Sequence, residues 1–228
     1  MDFFHILSRG IEKRKIFLDK GDYFRFIHDL YEFNDEEPSE AYKSFKRKFL
    51  DVQHPDIGNK ERVRKKRKLL VNLHAFALMP NHYHLLLSPL SDGAITLFMR
   101  KLNGGYARYF NQKNERKGPL FESRFKSILV SNEKHFIHLP YYIHCNPLDL
   151  KMPEWRKREI KSYKEAIEFL RSYRWSSHID YIGEKNFPSV TQRESFLEYF
   201  GGEDGYKNSI KSWLNNFDKG KLDSSLIE

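Results

Sequence analysis

The chain has 228 residues, 39% of them hydrophobic and 15% aromatic, enough to bury the core of one sizeable domain with an appendage. Its formal net charge of +9 favours a polyanionic partner, nucleic acid before membrane, because clustered Lys and Arg gain affinity by releasing counterions from phosphates. No apolar run approaches the roughly 20 residues of a bilayer span, the start "MDFFHILSRG" lacks a signal-peptide layout, and Cys145, the only cysteine, excludes an internal disulfide and any zinc site built from several thiolates. A cytoplasmic location follows as the expectation.

In chain order, "FFHILSRGI" (3–11) reads as a first strand. "DKGDYFRFIHDLYEFN" (19–34) follows as an amphipathic helix with Phe24, Ile27, Leu30 and Tyr31 at helical spacing and Asp19 as its cap. Residues 35–68 break the pattern and read as a surface insertion, whose basic run "RVRKKRK" (62–68) is either a solvated face or a phosphate-contacting arm. "LLVNLHAFAL" (69–78) and "YHLLLSPL" (83–90) are two strands joined by a tight "MPNH" turn, since Pro and Asn are turn formers between apolar flanks. "ITLFMRKLNGGYARYFNQKN" (95–114) has a helical period, with Gly104 and Gly105 weakening its middle or admitting a close backbone approach. "GPLFESRFKSILVS" (118–131) returns to extended structure. "NEKHFIHLPYYIHCNPLDL" (132–150) is a helix expected to end near Asn146, because the following proline disfavours the α region there, with Pro140 either a kink or the true first turn. The order strand, helix, strand, strand, helix, strand, helix predicts an α+β, ferredoxin-like antiparallel sheet with helices on one face. Beyond residue 150 the chain stays polar and helical, with "SYKEAIEFLRSYRWSSHIDYIG" (162–183), then "FLEYF" and "IKSWL", and a frayed end. The organisation is a domain over residues 1–183 and a helical C-terminal extension over 184–228.

Two constellations carry chemistry. In "LMPNHYHLLLSPL" (78–90), His82 and His84 are two apart on a strand and share one face while Tyr83 points to the other, which suits a divalent metal. With 10 histidines in the chain, a chance pair at a sheet rim is the competing reading. In "YYIHCNPLD", Tyr142 and Asn146 are one helical turn apart on one face. An amide oxygen suits a hard ion such as Mg²⁺ or Mn²⁺ beside imidazole, and the phenol would then be a nucleophile next to a Lewis acid. A core aromatic and a helix C-cap are the competing readings there.

Together these residues resemble a known family. "MPNHYHLLL" is similar to the HUH motif, two histidines around a bulky residue, of the IS200/IS605-like single-tyrosine (Y1) transposases. "YIHCNP" resembles their tyrosine helix, especially that of the REP-associated tyrosine transposases. "HILSRGIEKRKIF", "GPLFESRFKSILV" and "YRWSSHIDYIG" are similar to other recurrent segments, so the resemblance covers about residues 3–183. It implies the HUH endonuclease fold, His82, His84 and Asn146 as ligands of Mg²⁺ or Mn²⁺, and Tyr142 rather than Tyr141 as the nucleophile, because the family places the tyrosine four residues before the polar ligand. Asn stands where insertion-sequence enzymes use Gln. The implied reaction cleaves single-stranded DNA at a hairpin-bearing site to a 5′-phosphotyrosine and a free 3′-OH, and rejoins strands without ATP; the implied assembly is a monomer or a homodimer.

Arg9, Arg124 and Lys126, and Arg64, Lys65, Lys66 and Arg67 of the insertion, are the candidate DNA contacts. Tyr106, Tyr109 and Phe110 read as core rather than base-stacking residues, and His5, His74, His144 and His178 as structural. Two other classes compete: a non-cleaving nucleic-acid binder of the same fold, and a metal-dependent nuclease that uses water and would tolerate loss of Tyr142.

Overall fold

A computed structural model describes residues 2–37, 67–157 and 159–216. Four strands form one sheet in the order β2-β3-β1-β4, with β1 at Phe4–Arg9, β2 at Val71–Met79, β3 at His82–Pro89 and β4 at Lys126–Leu129. Every neighbouring pair is antiparallel. With α1 (Lys20–Glu32) between β1 and β2 and α2 (Ala94–Lys113) between β3 and β4, this is the expected ferredoxin-like order. Pro80 and Asn81 alone separate β2 from β3, so the hairpin is tight and Met79 pairs with His82.

Period-2 alternation sends Tyr83, Leu85 and Leu87 of β3 to one face of the sheet, where they meet Phe26, Ile27 and Leu30 of α1 and Phe98, Leu102 and Tyr106 of α2. Asp19 caps α1 through a reciprocal box with Asp22. Phe24, expected on the inward stripe, is 43% exposed; the buried positions of that turn are Phe26 and Ile27. At Gly105 the close neighbour is a side chain and not the backbone expected, since a Cβ there would collide with the Phe33 ring, whereas Gly104 faces open space. Tyr106 and Phe110 are core, with Tyr109 packed at its margin.

Helices were expected on one face; α1 and α2 lie there, and a second layer covers the other. Ala75 and Ala77 of β2 keep that face shallow, so α3 (Glu133–Cys145) packs close through Leu139, Tyr142 and Ile143. Against it come α4 (Tyr163–Ser172), the single turn α5 (His178–Tyr181), α6 (Glu194–Tyr199) and α7 (Gly202–Asn216), which contribute Leu170, Tyr181, Phe196, Tyr206, Ile210 and Trp213. Helical periodicity alone did not say which sheet face these aromatics would seek.

Helix α3 runs through Pro140 and ends where the sequence suggested, but for a different reason. Asn146 stays in the right-handed helical region (φ −51°, ψ −38°), and Pro147 starts a 3-10 turn, Asn146–Leu150, that leads into a second, Pro153–Lys157. Of the stretch 118–131, only Lys126–Leu129 joins the ladder. Among the described residues no helix is long and apolar enough to cross a membrane.

Candidate active site

The register of β1 against its two neighbours builds the site. Arg9 lies opposite His82 and Leu7 opposite His84 on β3, while Leu7 lies opposite Lys126 on β4. Directly opposed side chains point the same way, so Arg9, Lys126 and both histidines share the face that α3 covers. Helix α3 aims Tyr142 at this face, with its ring centroid 6.0 Å from that of His84 and 6.2 Å from that of His5. The His82 and His84 rings are 5.0 Å apart. Asn146 follows one turn after Tyr142, and its Nδ2 donates to the Tyr142 carbonyl at 2.8 Å.

A hydrogen bond sets the His82 tautomer. Asn81 Nδ2 donates to the Lys13 carbonyl at 3.3 Å, which turns its Oδ1 toward His82 Nδ1 at 2.7 Å. That oxygen can only accept, so Nδ1 of His82 carries the proton and Nε2 the lone pair. His84 Nδ1 is bonded to His5 Nε2 at 2.9 Å, and its Nε2 is buried with no hydrogen-bond partner among the described residues. Burial and the nearby Arg9 push His82 down to about 4; burial, with the neighbouring His82, holds His84 well below the usual range. Both rings are therefore neutral near pH 7, the form that ligates metals. Together with the orphaned His84 nitrogen, this makes His82, His84 and the Asn146 oxygen chemically fit for a divalent ion. Among the described residues no three His, Cys, Asp or Glu side chains gather as a metal cluster, so an ion here would need the Asn146 amide as well.

Three residues of the site were not singled out from the sequence. His5, read as structural, orients His84 from β1. Arg156 and Asp149 come from the two 3-10 turns that follow α3. Arg156 Nη2 donates to Asn146 Oδ1 at 2.8 Å and Nη1 to the Tyr142 hydroxyl at 3.2 Å, while its Nε and Nη2 bind the Asp149 carboxylate, the shortest contact being 2.6 Å. Although burial disfavours its charge, Asp149 and Tyr142 hold the Arg156 guanidinium above its ordinary value. No periodicity marks "KMPEWRKRE" as site-forming, and only the "HIL" alternation of β1 could have put His5 on the histidine face.

The candidate DNA contacts scatter. Arg9 borders the histidines and Lys126 is exposed on the same sheet face, whereas Arg124 is exposed ahead of β4. Arg67 stacks its guanidinium 3.7 Å from the Tyr31 ring, on the side of the sheet that α1 covers and away from the histidines. Arg64, Lys65 and Lys66 lie outside the described residues, as does most of the 35–68 insertion. His74, His144 and His178 make buried structural bonds, to Ser88, Ser177 and Tyr206 respectively.

Fold and site together define an α+β unit whose central strands present paired imidazoles to a tyrosine and an asparagine on one helix. Residues 59–146 match the family described as "Transposase IS200 like", and that span contains His82, His84, Tyr142 and Asn146. The likeness to IS200-like transposases read from the sequence thus holds over the segment that carries the site. A solved structure described as "Structure of the REP associates tyrosine transposase bound to a REP hairpin" aligns over 83% of this chain and 84% of that one, at 13% identity and a TM-score of 0.49. No curated protein matches.

Proposed function

We propose that this protein is a transposase-type transesterase that cleaves and rejoins single-stranded DNA through Tyr142. The observation that carries the reading is the 6.0 Å approach of the Tyr142 and His84 rings from facing elements, with Asn146 one turn further on the same helix. The family match over residues 59–146 and the net charge of +9 point the same way.

In the cleavage step the Tyr142 hydroxyl oxygen attacks the scissile phosphorus. The new O–P bond forms as the bond from phosphorus to the 3′ oxygen breaks, and the phenol proton passes, net, to that oxygen. One phosphodiester replaces another, so a free 3′-OH can reverse the step and rejoin strands with no external energy source. His82, His84 and Asn146 would hold a divalent ion, which when bound supplies Lewis-acid polarisation of the phosphate. The Asn146 carbonyl has two lone pairs, so its bond from Arg156 does not bar it from ligation. His5 would serve by accepting at its Nε2 from the His84 Nδ1–H, which leaves the lone pair on His84 Nε2 and fixes the ring. The hairpin-bearing substrate is the one implied by the sequence resemblance.

The test is a denaturing gel of protein with labelled single-stranded hairpin oligonucleotides from its flanking DNA, with Mg²⁺ or Mn²⁺ and with EDTA. A covalent band is expected with metal, lost with EDTA and lost in Tyr142→Phe. Cutting that survives Tyr142→Phe would make water the nucleophile, and binding without an adduct under any condition would leave a DNA-binding protein of this fold.

A further inference from the structure

Tyr142 is fully buried, and the segment that closes over it brings a cation to its oxygen. Guanidinium has five N–H donors. In Arg156, the Nε hydrogen and one on Nη2 go to Asp149, the second on Nη2 goes to Asn146 Oδ1, and one on Nη1 goes to the Tyr142 hydroxyl. The remaining donor lies on Nη1, the nitrogen beside the phenol. Asp149 is itself held by Trp155 Nε1 at 2.6 Å, so the fork is braced from behind. Arg9 lies opposite His82 and Arg156 beside Tyr142, so both cations stand near where a phosphodiester would bring its negative charge. The surroundings are buried, where a fixed donor aimed at developing charge is worth far more than in water.

We propose that Arg156 is a further catalytic residue: its Nη1 holds the Tyr142 oxygen in line for attack and donates its remaining hydrogen to an oxygen of the scissile phosphate. Its Nη2 keeps the Asn146 carboxamide turned so that the oxygen, not the nitrogen, faces the site. In rejoining, when the phenol oxygen leaves phosphorus, the same bond from a cation stabilises the charge that grows on it. The competing account is that Arg156 only ties the 3-10 turns to α3.

The proposal rests on the transesterase reading, and the experiment separates the two. Initial rates of covalent adduct formation are measured with a single-stranded hairpin oligonucleotide and Mn²⁺ for wild type, Arg156→Ala and Arg156→Lys, with and without millimolar methylguanidinium, and the thermal midpoint of each protein is recorded. Arg156→Ala is expected to slow adduct formation by about 100-fold or more, the scale of losing one preorganised donor, and methylguanidinium is expected to restore part of it. Arg156→Lys keeps the charge but cannot span both oxygens, and it is expected to remain slow; it also serves as the variant read if Arg156→Ala does not fold. Variants that form adduct within about threefold of wild type overturn the proposal and leave the transesterase reading intact. Slow variants that methylguanidinium leaves unchanged show a purely structural tie and also overturn it. A wild type that forms no adduct sinks both.

Discussion

Single atoms decide what several positions tolerate. Gly10 follows β1, and its backbone N–H donates to the Asn81 carbonyl at 2.8 Å, so the chain passes directly behind the β2-β3 turn that starts the histidine strand. A Cβ on Gly10 would collide with the Arg14 carbonyl and press on Ile16, both fixed by the turn. Gly104 sits in α2 with nothing within 4 Å of where its Cβ would be. Gly104→Ala should therefore stabilise by about 0.5–1 kcal/mol through helix propensity, and Gly10→Ala should destabilise by about 1–3 kcal/mol through overpacking. Urea unfolding of the two variants checks the opposite signs; equal signs would mean that the backbone at Gly10 relaxes freely.

At the scale of elements, a buried polar network ties α3, α5 and α7 to β2. His144 on α3 is bonded through Nδ1 to the Tyr206 hydroxyl and through Nε2 to Ser177 Oγ, each at 2.7 Å. His178 Nδ1 reaches the same Tyr206 oxygen at 3.1 Å, and Ser177 Oγ accepts from the Phe76 N–H at 2.9 Å. The "WSSH" segment is thus a clamp: its serine and histidine bond groups on both sides of the second core. Tyr206→Phe keeps the ring packing but strands two imidazole nitrogens, which should cost about 1–3 kcal/mol. An unchanged urea midpoint would show that water enters and replaces the hydroxyl. Because α3 also carries Tyr142 and Asn146, this clamp helps hold the helix of the proposed nucleophile against the histidine strand.

At the scale of the whole molecule, the buried imidazoles make stability depend on pH. Burial pushes His74 and His178 down to about 4 and holds His144 well below its usual range. Their ordinary value is near 6.5, so between that pH and about 4 the unfolded chain binds protons that the folded chain refuses. Stability is then complete above pH 6.5 and falls as pH drops through that window, by up to about 3 kcal/mol for each histidine shifted to about 4. Burial raises Asp29, which acts in the opposite direction but as one group against these three and the likewise lowered His82 and His84. Unfolding midpoints at pH 7.5, 6 and 5 should fall in that order, and a flat profile would show that these rings accept protons inside the fold.

Much of this protein follows from local pattern. Period-2 alternation in "NHYHLLL" and the four-residue spacing of Tyr142 and Asn146 determined which side chains share a face, since backbone geometry sets side-chain direction whatever packs above. The βαββαβ order and the Pro80–Asn81 turn were legible for the same reason. What only the tertiary structure decided is which residues from distant segments meet. His5 reaches His84 across 79 positions, and that depends on β1 lying between β3 and β4. Arg156 reaches Tyr142 through two 3-10 turns whose path no periodicity encodes. The second helical layer likewise lies where small side chains on β2 left room, and that complementarity exists only once the sheet has formed.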